Sequence, residues 1–474
     1  MNDSGKPDYT NRAYDAMLPD LTLCRDVARG TSAVKAKGMA YLPSHPREEL
    51  DDYSTRLARS LLFPMMGRSI KGLAGMVFRE DIEWVDVPPA VEAHLENIDL
   101  QGNHADVFLK QVFADALEAG HAGILVDAPQ RSEGVRTKRD ETVLNLRPYW
   151  VHIKKEQLTS WRVIDVNGAQ LLDQVVIKEP GVVPDGEFGE KEVVRYRIIR
   201  RGNPVTWETW ISVENSEPVR ELTGTINNVD EIPLAIVYAD QTGILTSDPP
   251  MLDLAYTTLS HYQVQSDHLT ALHKASVPIL AITGVDTTGT VSVGPNTTFT
   301  LPEGATVQYV EHTGAALGST RQQMLDLKAD GAAQGLAMLQ HETRQAETAE
   351  AKRIDKASQD SALAVAARGL QDGIEVALGF HAQMLGLGNK GGGSVVVSRD
   401  YETMSLDAQE LAAYSALVAN GQISLDTLWS ILAETGSLPD DFDPELERAN
   451  LEAEILAMTP EPDEDEEEVA DEEP

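Results

Sequence analysis

SDPPMLDLAYTTLSHYQVQSDHLTALHKA, Ser247 to Ala275, reads as a helix of over twenty residues, and the rest of the chain is laid out around it. A start is expected at Ser247-Asp248-Pro249-Pro250, where a capping side chain stands just ahead of proline in the first turn. Leu252, Ala255, Leu259, Tyr262, Ser266 and Leu269 then recur at alternating spacings of three and four. Those positions make one narrow apolar seam, the pattern of a helix packed lengthwise on similar helices. One amphipathic helix in an ordinary core has the same signature, so the order of the neighbouring segments carries the argument. A small β unit follows, with strands expected at Val277 to Ile282, Thr297 to Leu301 and Ala305 to Val310. Ser319 and Gln322 then form a capping box that restarts helix. Gly331 and Gly335 each cost a helix about 1 kcal/mol, so an interruption is expected there. Helix continues to about Leu385 along a second seam of Leu363, Ala367, Leu370, Ile374, Leu378, His381 and Leu385.

Upstream, helices are expected at Leu21 to Ala28, at Asp52 to about Gly75, and at Asp106 to Gly120. Pro64 should kink or divide the second, whose Leu57, Leu61, Met65 and Ile70 lie near one side. In the third, Val107, Val112, Phe113 and Leu117 are expected to face inward. From Ile124 the period changes to two, in runs at Gly123–Asp127, Arg147–Ile153, Leu171–Ile177, Val193–Ile199, Thr206–Ile211 and Pro233–Tyr238. Gly, Pro, Asn and Asp turns bound these runs, so an antiparallel sheet is expected. A strand at Val395–Ser398 and helices at Leu406–Ala419 and from Ser424 through Leu432 close the chain. The fold class is α+β and helix-rich.

At 474 residues the chain has room for two to four domains, and its formal charge of -37 argues against general attraction to nucleic acid or anionic lipid. Beyond Arg399 the only basic residue is Arg448, and Glu461 to Pro474 is an acidic run expected to be disordered. Cys24 stands alone, which excludes an intrachain disulfide or a thiolate metal cluster and suggests a reducing compartment. The N-terminus has no apolar signal core, and no apolar run approaches the roughly twenty residues of a membrane span. A soluble, non-secreted protein without membrane association is expected.

No constellation for chemistry stands out. The histidines show no HExxH-type spacing, and His341-Glu342 sits in a charged helical run whose ordinary reading is a solvated face. Gly388 to Ser394 lacks the GxxxxGK[ST] order of a phosphate cradle, and a strand rather than a helix follows it. Ser32-Ala-Val-Lys35 and Gly67-Arg-Ser-Ile-Lys-Gly72 are poor matches to SxxK and GxSxG. No cofactor or metal is expected. Arg56, Arg59, Arg68, Lys71 and Arg79 form the best candidate for a phosphate or subunit contact, against the simpler reading of cations facing this protein's many acids.

Over roughly residues 20 to 455 the ordered segments resemble a phage portal family usually known by a domain-of-unknown-function label. The carriers are Tyr53-Ser-Thr-Arg-Leu-Ala-Arg59 with Gly72 to Arg79, Ala119 to Pro129, Arg147-Pro-Tyr-Trp150 with Trp161-Arg162, Pro249 to Ala255 with His261 to Asp267, and Gly421-Gln-Ile-Ser424 through Pro439. The resemblance implies a portal fold of wing, stem, clip and crown, assembled as a dodecameric ring. It would sit at one capsid vertex of the virion, after assembly in the host cytoplasm. By that likeness, 1–248 is the N-terminal wing, 249–276 a stem helix, 277–313 the clip and 314–330 the second stem helix. The tunnel-loop region is 331–345, a long wing helix and strand 346–400, the crown 401–455 and the acidic tail 456–474. Leu252, Leu259 and Leu269 would meet neighbouring subunits; Gln334, Gln340, His341 and Arg344 would face the channel.

Implied partners are further copies of the chain, the major capsid and scaffolding proteins, the large terminase, a head-tail adaptor and the double-stranded DNA that passes through. The portal itself is no enzyme. An acidic channel suits this role, because each neutralised phosphate would add binding and hence friction. Two other readings stay open: another virion structural or adaptor protein, which would lack the helix-clip-helix unit, and a hydrolase, which would need a site not found in the sequence.

Overall fold

The computed structural model of the protein describes residues 5–129, 146–213, 216–276, 279–284, 304–310, 315–337, 361–388, 391–398, 408–434, 438 and 442–450. The chain divides into two units, Met1–Arg399 and Asp400–Pro474.

The first unit opens with α1 (Arg12–Arg29), longer than the expected Leu21 to Ala28 because Asn11 caps it, accepting from the Tyr14 amide at 2.8 Å. Gly30 ends it at φ +91°, a backbone that glycine alone adopts without strain, and α2 (Thr31–Ala36) follows. Pro64 does divide the next helix, into α3 (Leu50–Arg59) and α4 (Met65–Val77), and stands at the N-cap of the second. Leu61, expected on the inner side, falls in the connection between them and is exposed. Strand β1 (Glu83–Val85) and α5 (Pro89–Leu95) lead to α6 (Ala105–Ala119). Phe108, Val112, Phe113 and Leu117 of α6 are buried. Val107 is half exposed, because its position lies round the helix from that face.

The strands form two main antiparallel sheets rather than one. β2 (His121–Asp127) is the buried centre of a three-stranded sheet, between β3 (Tyr149–Lys154) and β9 (Leu234–Tyr238). The other sheet is a five-stranded meander in chain order: β4 (Leu158–Val166), β5 (Ala169–Asp185), β6 (Gly189–Arg200), β7 (Val205–Val213) and β8 (Val219–Ile226). β5 and β6 overshoot their neighbours. Register with β4 begins at Leu158 opposite Ile177, and register with β7 ends at Val213 opposite Val193. Beyond these points Val182–Asp185 pair only with Gly189–Glu192, as a two-stranded ribbon.

β10 (Gln241–Gly243) and β11 (Thr246–Ser247) precede α7 (Leu252–Ala275). β12 (Ile279–Thr283) and β13 (Thr306–Val310) pair antiparallel, Ile279 opposite Val310 and Thr283 opposite Thr306. Helices α8 (Ala315–Ala337) and α9 (Ala362–Met384) follow, then β14 (Ser394–Val396), which pairs with β1. The expected strand at Thr297–Leu301 lies outside the described residues.

Helix α9 lies against β9 and β2. From its expected seam, Leu363, Ala367, Leu370, Ile374, Leu378 and His381 are all fully buried. Two glycines set the approach: a Cβ on Gly369 would stand 2.0 Å from the Tyr238 carbonyl oxygen, and one on Gly373 2.7 Å from Val237 Cγ2. In the second unit, Ser424 caps α11 (Leu425–Glu434), which follows α10 (Ala408–Ala419), and Trp429 packs edge-on to Phe442 at 5.6 Å. Among the described residues no helix is long and apolar enough to cross a membrane.

Candidate functional site

Helix α7, the paired strands β12 and β13, and helix α8 follow one another in chain order. α7 does not begin at the expected cap. Leu252 is its first residue, Met251 its N-cap without a side-chain bond, and Ser247 belongs to β11 with its hydroxyl engaged elsewhere. The paired prolines explain this, since each disfavours helical backbone in the residue before it. α8 likewise begins at Ala315, which leaves Ser319 inside the helix rather than at its cap.

The two helices run antiparallel. His268 Nδ1 meets Thr320 Oγ1 at 2.8 Å near the hairpin, while Leu254 lies beside Gly331 at the other end. At that base α7 is buried at Leu254, Ala255, Thr258, His261, Tyr262 and Ser266, against α1, α3, α4 and α8. Toward the hairpin burial falls away: Leu272, His273 and Lys274 are exposed, as are Arg321, Gln322 and Leu325 on α8. The pair is a stalk rooted in the helical layer, with the hairpin at its free end.

The expected interruption at Gly331 and Gly335 is absent, because α8 runs through both to Ala337. Their role is close packing. A Cβ on Gly331 would stand 2.5 Å from Met65 Sδ, and one on Gly335 2.6 Å from Ser69 Oγ. The helix-propensity cost is offset by seating α8 directly on α4.

Leu252, Leu259 and Leu269 are all half-buried within the protomer, while Ala255, Tyr262 and Ser266 of the same seam are buried in it. The seam therefore serves the stalk's own root first. Gln334 lies in α8 with its Oε1 buried and without a hydrogen-bond partner. Gln340, His341 and Arg344 lie outside the described residues. The basic cluster separates: Arg56 is 2 % exposed and bonded through Nε to Glu48 at 2.7 Å, which holds the Glu48 carboxyl down at about 2. It also binds the Pro43 carbonyl at 2.7 Å, so it is a tie beneath α7 rather than a ligand group. Arg68 and Lys71 are exposed on α4, and Arg79 is exposed just beyond its C-terminal end.

Three buried polar nodes are invisible in the sequence. Arg25 on α1 bonds Asp115 and lies 3.1 Å from Glu118 and 2.7 Å from Glu156, while His152 Nε2 meets Asp115 at 3.1 Å. Burial raises the Asp115 carboxyl's pKa, but the His152 bond and the Arg25 charge outweigh it and hold the group below its ordinary range. Lys155 Nζ donates to the carbonyls of Ala119 and Ser247 at 2.8 Å and to Ser247 Oγ at 3.0 Å; His121 Nδ1 meets that hydroxyl at 2.7 Å. Burial lowers Lys155 to about 8 and, helped by the Lys155 charge, His121 to about 3. Serine, histidine and lysine here have the makings of an activated hydroxyl. All three residues are 1 % exposed, so no substrate reaches it, and the node fastens β2 to the β11 turn. The third node pairs His94 Nδ1 with His381 Nε2 at 2.9 Å beneath Trp150. No cluster of histidine, cysteine, aspartate or glutamate among the described residues could hold a metal ion.

Residues 250–385 match the family model described as a domain of unknown function, DUF4055. That range holds the stalk and α9, under half of the chain. No curated protein matches. Among solved structures, the chain is similar to one from the virion of a native gene transfer agent particle, at 12% identity and TM-score 0.37, covering 86% of this chain and 96% of that one. It is also similar to one from the neck of that particle computed with C12 symmetry, at 13%, 0.38, 84% and 98%. The neck of the empty particle computed with C6 symmetry gives 15%, 0.39, 86% and 99%.

Proposed function

We propose that this chain is a virion structural protein, and specifically the portal subunit, which forms a ring at one capsid vertex for DNA to enter and leave. The observation that carries this reading is the stalk: an antiparallel helix pair, rooted by glycines in a helical layer and ending in a two-stranded hairpin. That is the arrangement expected of stem and clip, with α1 to α6, the sheets and α9 as wing and the second unit as crown. On this reading the terminase and head-tail adaptor dock on the ring. The one hydroxyl that stands beside a histidine and a lysine, Ser247, is buried, which argues for a structural role there rather than a hydrolase site.

Like subunits joined head to tail close into rings when the rotation is right, whereas an isologous pair stops at two. Negative-stain microscopy of the purified chain is the direct test. Rings with a central hole, twelvefold by class averaging, are expected. A population of monomers or closed dimers under all assembly conditions, scaffold included, overturns the reading.

A further inference from the structure

Helix α4 carries no acidic residue, in a chain with 76 acids and 39 bases. Arg68, Lys71, Gly72, Gly75, Met76 and Arg79 fall on one side of it and its C-terminal extension at helical spacing. The three cations and Met76 are exposed, and a Cβ added at Gly72 or Gly75 would meet nothing within 4 Å. Arg68 lies over the Phe63 ring at 5.4 Å; among the described residues Lys71 has no carboxylate partner and Arg79 reaches only Glu80, at 3.6 Å. The result is a shallow apolar trough, floored by glycine backbone and bordered by positive charge.

The β5–β6 ribbon has the opposite character. Its four terminal pairs project roughly 13 Å past the sheet, with no strand on either flank. Such a ribbon is marginal by itself in water. At its tip Phe188 is 91% exposed, and Val182 on its side is 56% exposed. Lys191 is taken by Asp185 at 3.4 Å, leaving Glu187, Glu190 and Glu192 exposed without a cation among the described residues.

We infer that the ribbon of one protomer docks on the α4 trough of the next, Phe188 over Gly72 and Gly75 against Met76, with Glu187 and Glu190 facing Arg68 and Arg79. This rests on the ring reading above and names its contact. Among the described residues nothing covers either surface, so neither satisfies the other within the described part of the chain. They are unlike surfaces, so the contact is head to tail, the kind that propagates to a ring. Opposed charges fix the register, and the aromatic anchor supplies burial. A methionine beside a ring is a favourable packing partner.

The test is a cysteine pair, Phe188→Cys with Gly75→Cys, oxidised in the full-length protein. Cys24 is fully buried and does not compete. A ladder of disulfide-linked oligomers is expected, about tenfold or more above either single variant, because seating raises the effective thiol concentration. Arg68→Glu with Arg79→Glu should abolish rings, and adding Glu187→Lys with Glu190→Lys should restore them. Rings in the microscope without a ladder overturn the docking and leave the ring reading standing. Neither rings nor ladder overturns both. Duplex DNA retained by the wild type and lost in Arg68→Glu/Arg79→Glu, with rings indifferent to the ribbon changes, makes the trough a nucleic-acid contact and overturns the inference.

Discussion

Single residues separate the two uses of glycine in this molecule. Gly369 permits contact: an added Cβ would collide with the Tyr238 carbonyl, which belongs to the backbone of a buried sheet and cannot move aside. Gly369→Ala should therefore destabilise by about 1–3 kcal/mol despite its better helix propensity, read as a lower denaturation midpoint. Gly72 faces open space inside α4, so Gly72→Ala should stabilise the monomer by about 0.5–1 kcal/mol. Equal responses would refute the packing account. A second residue-scale prediction concerns His381, whose imidazole burial, then His94 and Arg147, push from 6.5 down to about 3. The folded state then binds fewer protons than the unfolded chain between those values. Its stabilisation is complete above pH 6.5 and lost as pH falls toward 3. His121 contributes with the same sign. His381→Gln should flatten, without abolishing, the fall of Tm between pH 6.5 and 4. Parallel Tm curves for variant and wild type would count against this coupling.

At the scale of elements, the stalk predicts independence of its tip. β12 and β13 pair with each other at the end of α7 and α8, away from the buried root. Replacing 277–313 with a short glycine-rich turn should leave calorimetric Tm within a few degrees while removing adaptor docking, since a ΔΔG of 1 kcal/mol moves Tm by about 2–4 °C even in a domain half this size, and by less in a larger one. A collapse of Tm would show that the hairpin packs on the body. Leu259 remains half-buried in the protomer, so Leu259→Asp should reduce ring yield by light scattering while the monomer still melts cooperatively. Unchanged ring yield would detach this seam from assembly.

Helices and central strands were legible in the sequence because burial imposes a period on them, as in the α9 seam from Leu363 to His381. The edge strands β4 and β8 were not. β8 reads VRELTGTI and is exposed along most of its length, so no apolar alternation marks it. Gly331 and Gly335 misled for a related reason: propensity is local, and what they accommodate, Met65 and Ser69, lies more than 260 positions away. Of the site, the cations on α4 were visible as a cluster, but only packing separates buried Arg56 from the exposed three. Phe188 carried no signal, because exposure of one aromatic is decided by where a ribbon ends.

For the whole molecule, charge is the dominant property. Glu461 to Pro474 lies outside the described residues, and its composition alone sets the expectation. Deleting it should leave Tm and ring yield unchanged, because so acidic a run has almost no apolar surface to bury. Procapsid assembly and DNA filling are the readouts that a functional tail would move. A drop in monomer stability would mean that the tail belongs to the fold.

The glycine seat joining α8 to α4 has a mechanical consequence. From Gly331 to its hairpin end at Ala315, α8 is a rod of about 24 Å, so a tilt of about 5° about that seat displaces the hairpin by about 2 Å and the root hardly at all. The same α4 that forms the seat bears the trough inferred to receive the neighbour. If the neighbour's ribbon docks there as inferred, stalk and trough share a fulcrum, and a push on one hairpin should arrive at the adjacent protomer as a rotation of its ribbon.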